Sequence, residues 1–305
     1  MDVLRFFRKA KFSTGELTRV RRILRPNGTT MLLPYDQFVE HDCRHLDGKS
    51  DSGNPYYICE LAKEAGFNGV VFHYGLSARY WPSTEGEVPL IVKINGKTSI
   101  PPDDEALSVH TSWVEDAVRL GAAGVGYTMY YGSPAQDRDL PQLAAVRREC
   151  ERFGMPLIIW AYPRGSAINA KGGRDSSYAL ESAARLATEM GATIIKSNLP
   201  ADKPELADNP KVPEYYRKVE KEILAISDPL ERKYVRAKRV VEAAQGIPVL
   251  FSGGSEKSDE EVLANAKAAV RAGCFGFIIG RNMWKRKLED AKRIAAIIEQ
   301  ALDSE

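Results

Sequence analysis

A lysine closes a short apolar stretch of this chain. Lys196 ends Ala192-Thr-Ile-Ile-Lys196, and an amine drawn into an apolar strand end loses the stabilisation of its charged form. Its pKa then falls toward that of a nucleophile able to condense with a carbonyl. The competing reading is a lysine held by a carboxylate. Lys93 closes a second such run, Leu90-Ile-Val-Lys93, and is either a rival nucleophile or a second cation that depresses the first. The pattern leaves that choice open.

Two further groups of residues suit an anionic substrate. Ser252-Gly253-Gly254 and Gly280-Arg281-Asn282 each follow an apolar run. Glycines let backbone N–H groups approach an anion, and Arg281 adds charge. Trp160-Ala-Tyr162-Pro-Arg164 offers a phenol for proton transfer and a guanidinium for a second phosphate, against the alternative of an aromatic pair that closes a barrel top. Asp36 and His73 also follow apolar runs. His73 and His41 are weak candidates, since lone histidines more often serve structure.

The elements that would position these residues come from a repeat. A helix end, a Gly and a short apolar run recur at Gly66, Gly121, Gly154, Gly191, Gly246 and Gly273. Gly takes the left-handed conformation that ends a helix, and a run apolar on both faces suits a parallel strand buried under helices. With Thr30 to Pro34 and Val88 to Lys93 there are eight candidate strands. Ser258 with Glu261 forms a capping-box pattern for a helix that ends at Gly273. Eight βα units suit a (β/α)8 TIM barrel, and no GxGxxG follows the first strand to favour a doubly wound sheet.

We therefore expect residues 1–305 to form a single barrel domain, with 1–28 as a helical extension against the barrel bottom. In this fold the strand ends carry the chemistry, so the candidates above share one mouth. The stretch 200–245 is an oversized connection after strand six, with helical patterns near 213–226 and 229–244. Its apolar residues, among them Tyr215, Tyr216 and Ile223, suggest that it covers the mouth or a subunit contact.

Composition excludes several classes. In 305 residues, 43 Lys and Arg face 41 Asp and Glu, so there is no general field for nucleic acid. No run approaches the roughly 18–20 apolar residues of a membrane span. Cys43, Cys59, Cys150 and Cys274 are widely spaced, which argues against a metal cluster or disulfide framework and for a reducing, cytoplasmic setting. Residues 1–25 carry eight Lys or Arg; we read them as part of the folded body rather than a transit peptide.

Asn95-Gly-Lys-Thr-Ser, Trp160-Ala-Tyr-Pro-Arg-Gly, Ile194-Ile-Lys196, Ser252-Gly-Gly and Gly280-Arg-Asn together resemble the archaeal-type class I fructose-bisphosphate aldolases, from about Leu32 to Arg286. The resemblance implies that Lys196 forms an imine and Tyr162 is the acid/base, with no metal or other cofactor. It implies that Trp160 and Asp36 orient the sugar chain. Ser252, Gly253, Gly254, Gly280 and Arg281 would hold the C1 phosphate, with Lys93 also among the binding residues, and Arg164 the other phosphate. It further implies a homo-oligomer that acts on sugar phosphates. Two features depart from the family: Gln37-Phe38 where Asp-His-Gly is common, and the long segment after Lys196. The alternatives are a related imine-forming barrel for another sugar phosphate, a phosphate barrel without Schiff-base chemistry, and a sugar-phosphate-binding barrel without turnover.

Overall fold

Eight parallel strands close on themselves: Thr30–Pro34 (β1), Gly69–His73 (β2), Leu90–Lys93 (β3), Gly124–Tyr131 (β4), Leu157–Pro163 (β5), Ile194–Asn198 (β6), Val249–Ser252 (β7) and Gly276–Ile278 (β8). Each pairs with its chain neighbour, and β1 pairs with β8 through Thr30–Gly276 to Leu32–Ile278. Helices separate the strands, as a parallel barrel requires. The computed structural model describes residues 12–41, 43, 46, 48, 50–253 and 258–303, positions 37 and 41 by backbone only. Gly254 and residues 1–11 of the N-terminal basic segment, with Arg5, Arg8, Lys9 and Lys11, lie outside the described residues.

Strands β4 to β6 run further than their apolar runs suggest. The β4–β5 ladder pairs Val125 with Leu157 and continues to Tyr131 with Pro163, because tyrosines hold an extended backbone well. Tyr162, two residues past the apolar run Leu157 to Trp160, therefore lies within strand five, opposite Tyr130.

Strand periodicity sorts the core into two layers. Leu32, Val71, Ile91, Ile158, Trp160, Ile194, Leu250 and Ile278 cluster inside the barrel, while Met31, Leu33, Val92, Ile159, Ile195 and Phe251 pack outward under the helices. Successive side chains alternate, so Lys93, two residues after Ile91, and Lys196, two after Ile194, fall on the inner face. The same phase carries Trp160 to Tyr162. Burial on both faces of each strand is what stabilises such a sheet, at about 25 cal/mol per Å² of apolar surface.

The bottom is plugged by the helix Thr14–Arg22, started by a Ser13–Glu16 capping box. Val20 and Ile23 join the inner cluster from below. Arg19 Nη1 donates to the Gly154 carbonyl at 2.9 Å, and Arg22 Nη1 to that of Gly121 at 3.0 Å, so the basic residues satisfy helix-end carbonyls.

The segment after β6 folds onto the same body. It holds a short 3-10 turn, Pro204–Asp208, and the helices Glu214–Leu224 and Pro229–Ala243. The second helix packs against Ser177–Glu189 and Asp259–Arg271 as the barrel's sixth helix. Arg236, 1% exposed, is held by Glu220 and Asp202, and Arg239 makes a bidentate pair with Glu181. Its apolar residues are partly absorbed within the chain: Ile223 is buried and the Tyr216 ring lies 4.7 Å from Tyr178. Tyr215 is exposed. No described helix is long and apolar enough to cross a membrane.

Gly126 in β4 makes room for two of the inner side chains. A Cβ there would sit 2.6 Å from the Trp160 ring and 3.2 Å from Lys93 Cδ. Gly126→Ala should therefore lower stability by about 1–3 kcal/mol, the usual cost of overpacking. A urea midpoint equal to that of the wild type would show that the indole can move aside freely.

Candidate functional site

The inner-facing strand ends meet at the C-terminal mouth. Lys196 is 5% exposed, and its Nζ lies 4.6 Å from the Trp160 ring centroid and 5.6 Å from that of Tyr162. The placement follows from register, since Lys196 pairs with Trp160 across β5 and β6. Its amine has no hydrogen-bond or ion-pair partner among the described residues. Burial lowers its pKa from 10.5 to about 8; Lys93 and Arg281 push the same way, while Asp36 and Glu40 oppose them. Such an amine is partly neutral near physiological pH.

Lys93 is fully buried, yet its surroundings differ. Its Nζ donates to the Asn95 carbonyl at 2.8 Å and lies 3.4 Å from Glu40 Oε1. Glu40 also accepts from Thr128 Oγ1 at 3.2 Å, and the Asn95 side chain bridges to both the N–H and the carbonyl of Thr128. A lysine held this way is a fixed cation, 5.7 Å from the centroid of the same indole. Geometry thus separates the two lysines that the residue pattern left equivalent.

Tyr162 responds to the same burial in the opposite sense. Its pKa is raised well above 10, first by desolvation and then by the charges of Glu40 and Asp36, against Arg164. It remains a phenol, able to donate a proton. Trp160 Nε1 is buried without a hydrogen-bond partner among the described residues, a donor suited to a sugar oxygen. Asp36, 4% exposed, stands just beyond β1. His73 is kept neutral, its pKa lowered to about 4 chiefly by burial and then by Lys93.

The anion-binding candidates occupy two ends of the mouth. β7 and β8 run side by side, with Ser252 opposite Ile278, and Asn282 Nδ2 donates to the Gly253 carbonyl at 3.2 Å. Ser252, Gly253, Gly280 and Arg281 are thereby brought together. Arg164 lies apart from them, stacked 5.3 Å from the Tyr162 ring and 3.4 Å from Asp103. It lines a cavity of about 340 Å³ with Arg174 and Lys203.

Reading the sequence did not single out Glu40, Gly126, Asn198 or Asp175. Glu40 carried a signal, since it lies four residues after Asp36 on the helix Gln37–His41, one turn away on the same face. Among the described residues no three His, Cys, Asp or Glu side chains converge as metal ligands do.

A family model described as DeoC/LacD family aldolase matches residues 30–286. The class 1 fructose-bisphosphate aldolase of Thermoproteus tenax is 34% identical over 281 residues, with 91% of this chain and 92% of that one covered. The class 1 fructose-bisphosphate aldolase of Halobacterium salinarum is 25% identical, with 86% of each chain covered. A solved archaeal fructose-1,6-bisphosphate aldolase, whose catalytic lysine is covalently bound to the carbinolamine intermediate of its substrate, is 32% identical. It superposes with a TM-score of 0.76 over 93% of this chain and 98% of its own. With eight closed strands, a buried unpaired lysine on the sixth and a family match across the whole barrel, this chain belongs to the DeoC/LacD aldolase family.

Proposed function

We propose that the protein is a class I, Schiff-base aldolase that reversibly cleaves fructose 1,6-bisphosphate to dihydroxyacetone phosphate and glyceraldehyde 3-phosphate. The observation that carries this reading is Lys196, a buried amine with no counter-ion among the described residues, lowered to about 8 and set beside Trp160 and Tyr162. The names of the relatives at 34% and 32% identity support the substrate.

Neutral Lys196 attacks the C2 ketone to give a carbinolamine, which loses water to a protonated imine. That imine is an electron sink. The C4 hydroxyl gives its proton to solvent water as the C3–C4 bond breaks, the electron pair of that bond passes to the imine, and glyceraldehyde 3-phosphate leaves as the aldehyde. Tyr162, held as a phenol, protonates the enamine at C3 and recovers its proton from solvent. Water hydrolyses the new imine and frees dihydroxyacetone phosphate and the amine. Trp160 and Asp36 orient the sugar hydroxyls. Ser252, Gly253, Gly254, Gly280 and Arg281 receive the C1 phosphate, and Arg164 the C6 phosphate. Lys93, held by Glu40, sets the local potential and braces the Trp160 ring.

The proposal includes one barrel domain over 1–305, with 1–28 as an extension and 200–245 as an extended connection after β6. It also includes a homo-oligomer, for which exposed Tyr215 offers a contact and sedimentation the measurement. No disulfide joins Cys43, Cys59, Cys150 or Cys274 among the described residues, which supports a cytoplasmic setting.

Borohydride reduction in the presence of dihydroxyacetone phosphate should label Lys196. Lys196→Met should abolish the adduct and Lys93→Met should retain part of it; a label on Lys93 reverses the assignment. Because the folded pKa of Lys196 is depressed and the neutral form reacts, trapping at low donor concentration should rise with pH through about 8 and then level. A midpoint near that of a free lysine, about 10.4, contradicts the geometry. Tyr162→Phe should still form the adduct, while exchange of the C3 proton of dihydroxyacetone phosphate slows by about 10² to 10⁴. Normal exchange removes Tyr162 from the chemistry.

A further inference from the structure

A line of hydrogen bonds that the covalent chemistry does not use runs along one side of the mouth from β7 past β6 to the loop after β5. Ser252 Oγ donates to Asn198 Oδ1 at 2.6 Å, and Asn198 Nδ2 donates to Asp175 Oδ1 at 2.8 Å. Ser252 and Asn198 are ladder partners on β7 and β6. The Asp175 backbone carbonyl accepts from the N–H of Ala201, three residues beyond Asn198, at 2.9 Å. Its second carboxylate oxygen lies 3.7 Å from Arg174 Nε.

The direction of the line is forced from its outer end. A carboxylate accepts only, so Asn198 must turn its amide N–H toward Asp175 and its oxygen toward Ser252, and the Ser252 hydroxyl must then donate. The next residue, Gly253, is gripped from the other side by Asn282 at 3.2 Å. A Cβ on Gly253 would already stand 3.0 Å from Ile279 and 3.1 Å from Asn282, so the start of this loop has little slack.

We propose that Asp175 is a positioning residue for the phosphate of the ketose donor. Through Asn198 it holds Ser252, and with it the first residues of the β7 loop, where a phosphate next to the carbonyl must be met. This rests on the aldolase reading above and deepens it. Asp175 also lines the cavity shared by Arg164, Arg174 and Lys203, so the relay begins beside the residues proposed for the other phosphate.

The test is the concentration dependence of borohydride trapping on Lys196, with dihydroxyacetone phosphate and with dihydroxyacetone as donors. Asp175→Asn keeps the shape but no longer dictates which way Asn198 faces. It should raise the half-saturating concentration of dihydroxyacetone phosphate roughly 10-fold, as loss of a charge-assisted hydrogen bond does. The trapping rate at saturation, and the curve for dihydroxyacetone, which has no phosphate, should stay as in the wild type. Asn198→Ala should repeat this pattern. Ser252→Ala should raise the same value, and addition of Asp175→Asn to it should raise it no further, because both act through one hydroxyl.

Equal effects on the two donors, additive effects in the double variant, or an unchanged or lower half-saturating concentration overturn the relay. In those outcomes the wild type still traps, so only this assignment is lost. No adduct on Lys196 of the wild type with either donor removes the aldolase reading and the relay together.

Discussion

Burial of a lysine amine without a counter-ion is the constraint on which the upper barrel depends. A charged amine in such a place is costly, and no carboxylate among the described residues pairs with Lys196. It surrounds the amine with indole and phenol faces and lets its pKa fall to about 8. The nearest fixed cation, Lys93, is spoken for by Glu40 and the Asn95 carbonyl. Both lysines approach the Trp160 ring, and the indole fits only because Gly126 has no side chain.

The same desolvation assigns two roles at once. An environment that disfavours charge turns a lysine toward the neutral base and a tyrosine toward the neutral acid. Lys196 is shifted down and Tyr162 up, with burial first among the causes of both. The carboxylates Asp36 and Glu40 act on both residues, moderating the fall of the lysine and adding to the rise of the tyrosine. Nucleophile and proton donor thus follow from one physical setting.

Elements further out hold this setting in place. The helix Thr14–Arg22 closes the bottom through Val20 and Ile23, so the interior below the site is apolar. The helices after β6 are anchored by Arg236 between Glu220 and Asp202. Loss of one partner of such a buried pair leaves an uncompensated charge and costs about 3–5 kcal/mol. That anchor lies in the same segment as Ala201, whose N–H is tied to Asp175, so rigidity in the connection reaches the phosphate end of the mouth.

The barrel and most of the mouth were legible because they depend on local pattern. Gly at helix ends, short runs apolar on both faces and alternation along each strand follow from single-residue preferences, and they already place Lys93 and Lys196 at strand ends. Which lysine is free to react was not legible in the local pattern; only the family resemblance pointed to Lys196. That depends on Glu40, Asn95 and Thr128 meeting across three elements, and a pairing over such sequence distances has no local signature. Gly126 reads as one more strand glycine until Trp160 and Lys93 converge on it, and Tyr162 reads as loop until the β4–β5 ladder is seen to continue to Pro163. The sequence by itself determined the kind of fold and the kinds of side chain at its open end. Tertiary structure alone decided their ionisation and partnership, because desolvation and charge coupling depend on distances through space.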